Sequence, residues 1–227
     1  MTGDASGAAA EVAVLSAAAG AAVSIAAFSI REYEEAAELA VPSAASAAFS
    51  IREYVEADAP QVYALFASGM LSYPAHASGG VLHDFIKKYM ADAAVTDLAD
   101  VQGVYFSDGG GFWCAVDERA GSETFGKIIG TVGGQALDAD EVELRRMSVH
   151  TNSRGLGLAT ALLEALEARA VEGGRKRVVL STGFVMVPAQ KLYEGRGYSV
   201  LRREVFDFAK LPDGGDLGIV YYSKDVS

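Results

Sequence analysis

Residues 149–159 read VHTNSRGLGLA: an apolar strand end, a short polar loop, then two glycines opening an apolar run of helical spacing. A helix that starts this way leaves the backbone N–H groups of its first turn unpaired and puts its positive dipole end beside them, a combination that suits a pyrophosphate. Gly155 and Gly157 let an anion approach the backbone where a Cβ would intrude. Two other phosphate-binding loops are excluded. A GxGxxG dinucleotide turn needs glycine where Thr160 stands, and a Walker loop needs the missing GK[ST].

Reading outward, Glu141–Val149 alternates as a strand, with Val142, Leu144, Arg146 and Ser148 on one face and Glu143, Arg145, Met147 and Val149 on the other. Residues 155–172 continue as a long amphipathic helix carrying Leu162, Leu163, Leu166 and Ala170. Residues 177–182 (RVVLST) read as a buried strand, 188–195 as a short helix, and 198–206 with 217–222 as late strands. Upstream, 49–54 is strand-like, 59–70 and 82–90 have helical spacing, and 112–116 pairs as a hairpin with 127–134. Strand–helix–strand in the middle with hairpins around it predicts an α/β fold: a mixed, mostly antiparallel sheet flanked by helices.

A chain of 227 residues, 51% apolar, supports one sizeable α/β domain. The net charge of −11 argues against a nucleic-acid surface. The charge is uneven: residues 145–210 hold 12 Lys and Arg against 6 Asp and Glu, whereas residues 1–144 hold 6 against 21. That basic stretch coincides with the glycine loop and fits an anionic ligand. One cysteine, Cys114, makes no zinc cluster, and His76, His83 and His150 lack HxxH or HExxH spacing. No metal is expected.

Residues 1–46 are rich in Ala, Ser and Gly and contain a near-copy of the following segment: residues 26–36 read AAFSIREYEEA and residues 47–57 AAFSIREYVEA, ten matches in eleven. Only the second copy runs on into amphipathic sequence. Residues 1–46 are therefore read as a low-complexity extension and 47–227 as the domain. No Lys or Arg precedes the apolar stretch, which argues against a targeting leader. Its Ala, Ser and Gly content argues against a membrane helix. A soluble, cytoplasmic protein with no membrane or nucleic-acid partner is expected, its oligomeric state unread.

Residues 154–159 fit R-x-x-G-x-A, and residues 191–198 (KLYEGRGY) fit LYxxxG[FY]. Together they resemble the acetyl-CoA-dependent N-acetyltransferases of the GNAT superfamily. Residues 143–149 (ELRRMSV), 187–198, 51–58 (IREYVEAD) and 111–116 (GFWCAV) narrow the resemblance to the subfamily containing aspartate and cysteine-S-conjugate N-acetyltransferases. Those relatives carry a long apolar membrane segment between the first helix and the Trp-bearing strand. Here Lys87, Lys88 and several Asp interrupt residues 71–108, so no anchoring is carried over.

The resemblance implies a GNAT fold and acetyl-CoA as co-substrate. It implies backbone contacts to the coenzyme from Met147, Ser148 and Val149, and a pyrophosphate loop of Arg154, Gly155, Leu156, Gly157, Leu158, Ala159 and Thr160. Tyr193 matches the tyrosine that protonates the departing thiolate. Glu143 falls where some members place a general base. Arg145 and Arg146, beside it, offer guanidinium groups for a substrate carboxylate. An asparagine common in the family is Met186 here. The implied reaction is acetyl transfer to the primary amine of a small acceptor, an amino acid or its conjugate. Protein N-terminal or lysine acetylation, and an acyl-CoA-binding domain of weak activity, remain alternatives.

Overall fold

The computed structural model describes residues 49–77, 79–211 and 214–226. The expected extension of residues 1–46, with its repeat copy, lies outside the described residues. One sheet of seven strands carries the domain. Strand β1 (Phe49–Glu53) pairs antiparallel with β2 (Gly111–Asp117), β2 with β3 (Ile128–Ala136), and β3 with β4 (Glu141–Val149). Strand β4 meets β5 (Arg177–Gly183) in parallel, and β5 pairs antiparallel with β7 (Asp216–Asp225), which pairs with β6 (Ser199–Lys210). Between β1 and β2 lie helices α1 (Ala59–Leu71), α2 (Pro74–Ala77), α3 (Gly80–Val95) and α4 (Val101–Tyr105). Helix α5 (Leu158–Glu172) makes the crossover that the parallel pair requires, and α6 (Val187–Gly195) follows β5.

Alternation along β2 sorts the core into two layers. Trp113 and Ala115 join the α5 layer with Leu158, Leu162, Leu163 and Leu166, while Phe112 and Cys114 join Tyr63, Phe66 and Met90 under α1, α3 and α4. The four leucines of α5 are at most 1% exposed. Each contributes about 1.5–3 kcal/mol by burial, so α5 is fixed against the sheet and its first turn with it. Among the described residues no helix is long and apolar enough to cross a membrane.

The structure differs from the sequence expectation in four places, the first being that residues 74–77, read as a connection, form the short helix α2. Helix α5 starts at Leu158, not 155, because Gly155 and Gly157 sit at φ +80° and +82°, outside helical geometry. Helix α4 was not expected; the Asp100 side chain caps it by accepting from the Gly103 N–H at 2.8 Å. The regular alternation expected of β4 fails at Arg146. Thr131 pairs with Ser148 and Gly133 with Arg145, so Arg146 and Met147 both oppose Val132 in a bulge, and Arg146 takes a left-handed φ of +53°. The Thr131 hydroxyl donates to the Arg146 carbonyl at 2.9 Å and holds the bulge. Arg146 therefore points to the same side as Arg145, away from the α5 layer that receives Val142 and Leu144.

Candidate active site

The parallel ladder between β4 and β5 is short. It comprises Glu141 with Arg177, Val142 with Val178 and Glu143 with Val179, and beyond these the strands separate. A cavity of 560 Å³ occupies the opening. Its β4 wall is Leu144 and Arg146–Val149, its β5 wall Ser181–Gly183, and the loop before α5 closes one end.

That loop follows a 3-10 turn over Thr151–Ser153. A Cβ at Gly155 or Gly157 would meet no protein atom within 4 Å, so positive φ, not crowding within the protein, is what selects glycine here. Gly157 caps α5, and its carbonyl accepts from Ala161 at 3.0 Å. The N–H groups of Leu158, Ala159 and Thr160 fall in the first turn, where a helix offers no backbone acceptor. Arg154 is exposed, and its Nη2 donates to the Ser72 hydroxyl at 2.8 Å, joining the loop to the end of α1. Free amides, a helix N-terminus and an arginine fit a pyrophosphate at this end. From this end the cavity lining continues along β4 and β5 to α6.

Tyr193 lines the cavity from α6, its ring packed edge-on against Tyr198 (centroids 5.7 Å apart) and tilted against Tyr222 (6.1 Å). Among the described residues its hydroxyl makes no hydrogen bond. Burial, with Tyr73 adding to it, pushes the phenol well above its usual pKa, so it holds its proton at neutral pH. Met186 caps α6 and lines the cavity, with the Thr182 hydroxyl 3.5 Å from its sulfur.

The structure brings together Met147, Ser148, Val149, Arg154, Gly155, Gly157, Leu158, Ala159, Thr160 and Tyr193 around this cavity. Leu156, in the loop, is half-buried and does not line the cavity. Glu143 and Arg145 also lie outside the lining. Glu143 is still paired with both β3 and β5, and Arg145, past the end of the β5 ladder, with β3 alone; Arg145 Nε lies 3.8 Å from the Glu143 carboxylate and Nη1 donates to Gln135 Oε1 at 2.6 Å. Arg146 does reach the cavity, but its guanidinium is already paired. It donates to both oxygens of Asp97 at 2.5 and 2.7 Å and to the Tyr89 hydroxyl at 2.8 Å. Burial by itself would raise the Asp97 carboxyl. The hydrogen bonds and charge of Arg146, with the Tyr105 hydroxyl also donating, hold it below the usual carboxylate range.

Sequence reasoning missed Asp97 and His76. His76 is 2% exposed and lines the cavity, with Nδ1 2.8 Å from the Met70 carbonyl. Burial lowers its pKa, so the ring is neutral and Nε2 is left as an acceptor. Cys114 is fully buried, and burial pushes its thiol up to about 12, which makes it inert.

Residues 81–198, a little over half of the chain, match the acetyltransferase (GNAT) family. The chain belongs to that family. A zebrafish (Danio rerio) N-acetylaspartate synthetase is 38% identical to this GNAT chain over 115 residues, 50% of this chain and 38% of the relative. A rat (Rattus norvegicus) N-acetyltransferase 8 is 36% identical over 118 residues, 49% of this chain and 50% of that one. The GNAT chain thus spans about half or less of the length of these relatives. A Salmonella typhimurium structure, described as an acetyltransferase with its cofactor acetyl-CoA, superposes with a TM-score of 0.53 at 15% identity, covering 79% of this chain and 95% of that one. At that identity the likeness concerns the fold, which is that of the GNAT acetyltransferases.

Proposed function

We propose that this chain transfers the acetyl group of acetyl-CoA to the primary amine of a small acceptor, an amino acid or amino-acid conjugate, within a ternary complex. One observation carries the reading: the opening between β4 and β5 forms a single cavity that runs from the unpaired amides of the α5 first turn to the hydroxyl of Tyr193. Acetyl-CoA supplies an activated thioester. The loop of residues 154–160 would hold its pyrophosphate, and the exposed backbone of Met147, Ser148 and Val149 would orient its pantetheine arm. The acceptor nitrogen forms the amide bond as the carbon–sulfur bond breaks. Tyr193, protonated by burial, gives its proton to the departing sulfur, and the amine proton leaves to a base or to water. Glu143, outside the cavity lining, would take that proton only through intervening water.

No carboxylate lines the cavity among the described residues, which favours one other reading, an acyl-CoA-binding domain of weak activity. A thiol-release assay separates the two. The full chain is incubated with acetyl-CoA and a panel of amino acids, S-substituted cysteines, polyamines and peptides. Release that depends on a small amine supports the enzyme, and release with peptides alone points to protein acetylation. Tight acetyl-CoA binding with no amine-dependent release supports the binding domain.

A further inference from the structure

Beyond the coenzyme end, the cavity continues between α3 and the β6–β7 hairpin, and the chemistry there changes. Phe66 of α1, Val81, Phe85 and Tyr89 of α3, Phe184 after β5 and Phe206 of β6 line it. The rings of Phe85 and Phe206 stand 6.2 Å apart, and those of Phe66 and Tyr89 5.9 Å apart. Val81, Phe85 and Tyr89 recur every fourth residue on α3 and remain 61%, 44% and 40% exposed. A stripe of large apolar side chains left open to a cavity is surface that an apolar ligand group would cover.

Among the described residues that line this arm the one guanidinium is Arg146, and its charge is balanced; Arg203, outside the lining, stands 6.0 Å from the ring of Phe184. Asp97 occupies the guanidinium from one side, Tyr89 accepts from Nη1, and the rings of Phe66 and Tyr89 lie 4.7 and 5.1 Å from its central carbon. The Arg146 side chain is 3% exposed. The other arginine of the cavity, Arg154, is at the opposite end with the glycine loop. A second carboxylate on the acceptor would enter this ring-lined arm with no free cation among its described lining residues to meet it, and an unpaired charge there is costly.

We infer that the acceptor carries an apolar, uncharged side group, aromatic or branched aliphatic, which seats among Phe66, Phe85, Tyr89 and Phe206, and that the site discriminates against dicarboxylic amines such as aspartate. The inference rests on the acetyltransferase reading above and narrows its substrate class. A hydrophobic pocket gains about 10–200-fold in kcat/KM per methylene it accommodates, so a whole ring against a carboxylate gives a large ratio.

The test compares phenylalanine, leucine and aspartate as acceptors for the full chain with acetyl-CoA, read by thiol release. The expected kcat/KM is at least 100-fold higher for phenylalanine than for aspartate, with leucine on the side of phenylalanine. Phe85→Ala, at a half-exposed position the fold tolerates, lowers kcat/KM for phenylalanine about tenfold and leaves the KM for acetyl-CoA unchanged. Equal use of aspartate and phenylalanine, or a Phe85→Ala enzyme with unaltered phenylalanine kinetics, overturns the inference and leaves the acetyltransferase reading standing. Calorimetry with acetyl-CoA tells the two failures apart. Absence of binding removes the reading itself, whereas binding without turnover of phenylalanine or leucine removes only the apolar acceptor.

Discussion

Arg146 and Asp97, 49 positions apart in the chain, form a buried bidentate ion pair whose side chains are 3% and 4% exposed. The pair explains why a non-glycine residue stands at φ +53° in the middle of β4. A left-handed backbone costs an L-residue about 1–2 kcal/mol. The hydrogen bonds to Asp97 and Tyr89 and the close rings of Phe66 and Tyr89 offset that cost and fix the bulge that sets the direction of Met147–Val149.

Replacing Asp97 with Asn therefore leaves a buried guanidinium without its counter-charge. Stability should fall by about 3–5 kcal/mol, measured by urea unfolding. The same pair predicts a pH response. The folded pKa of Asp97 lies below its unfolded value of about 4, so its stabilisation is complete above that pH and is lost as the pH drops through the lower folded value. A wild-type melting temperature that declines below about pH 4, with a shallower decline in Asp97→Asn, is the expected pattern. Coincident slopes would reject the assignment.

Gly157→Asp should abolish acetyl-CoA binding, because a carboxylate at the α5 N-terminus takes the amides that would meet the pyrophosphate. Gly157→Ala separates charge from backbone strain, since at φ +82° it costs stability without adding charge. Calorimetry on folded protein should show binding kept in Ala and lost in Asp. Unchanged affinity in the Asp variant would remove residues 154–160 from the cofactor site.

Tyr193→Phe deletes one hydroxyl and keeps the ring contacts with Tyr198 and Tyr222. The kcat should fall about 10²-fold, the lower end of general-acid effects, because a thiol is itself a fair leaving group. The KM for acetyl-CoA should hold, the signature of an interaction made in the transition state. Wild-type single-turnover rates from pH 6 to 9 would return Tyr193 to a packing role.

Deleting residues 1–46 should change neither melting temperature nor turnover. Strand β1 begins at Phe49 and is in register with β2 from its first residue, Phe49 opposite Asp117. A large loss of stability on deletion would show that the first repeat copy belongs to the fold.

Much of the architecture was legible because its signals are local. The alternation of β2, the four leucines of α5 and the glycines before it each follow from neighbours within a few residues. The same holds for the loop and for Tyr193, which sit in short contiguous motifs. What was hidden depends on partners distant in sequence. Nothing around Asp97 announces a contact with β4, since Arg146 reaches it only through a bulge that period-two reading does not anticipate. That bulge also put Arg146 beside Arg145 and made a buried strut of a side chain expected to hold substrate. His76 stood in a stretch read as a connection, yet folding carries it to the cavity wall.

The brevity of the β4–β5 ladder has a mechanical consequence. Three residue pairs join an antiparallel block of β1–β4 to a second block of β5, β7 and β6. Each block is internally braced: β5 pairs with β7 along its whole length, and β4 pairs with β3 on both sides of the bulge. The sheet thus behaves as two stiff plates sharing a narrow seam, with α5 laid across it as a splint. A rotation about that seam would widen the opening and leave the ladders within each plate intact. In hydrogen exchange, amides of Glu141–Glu143 and Arg177–Val179 that face the seam should lose protection before those inside either plate, and a bound coenzyme should restore it.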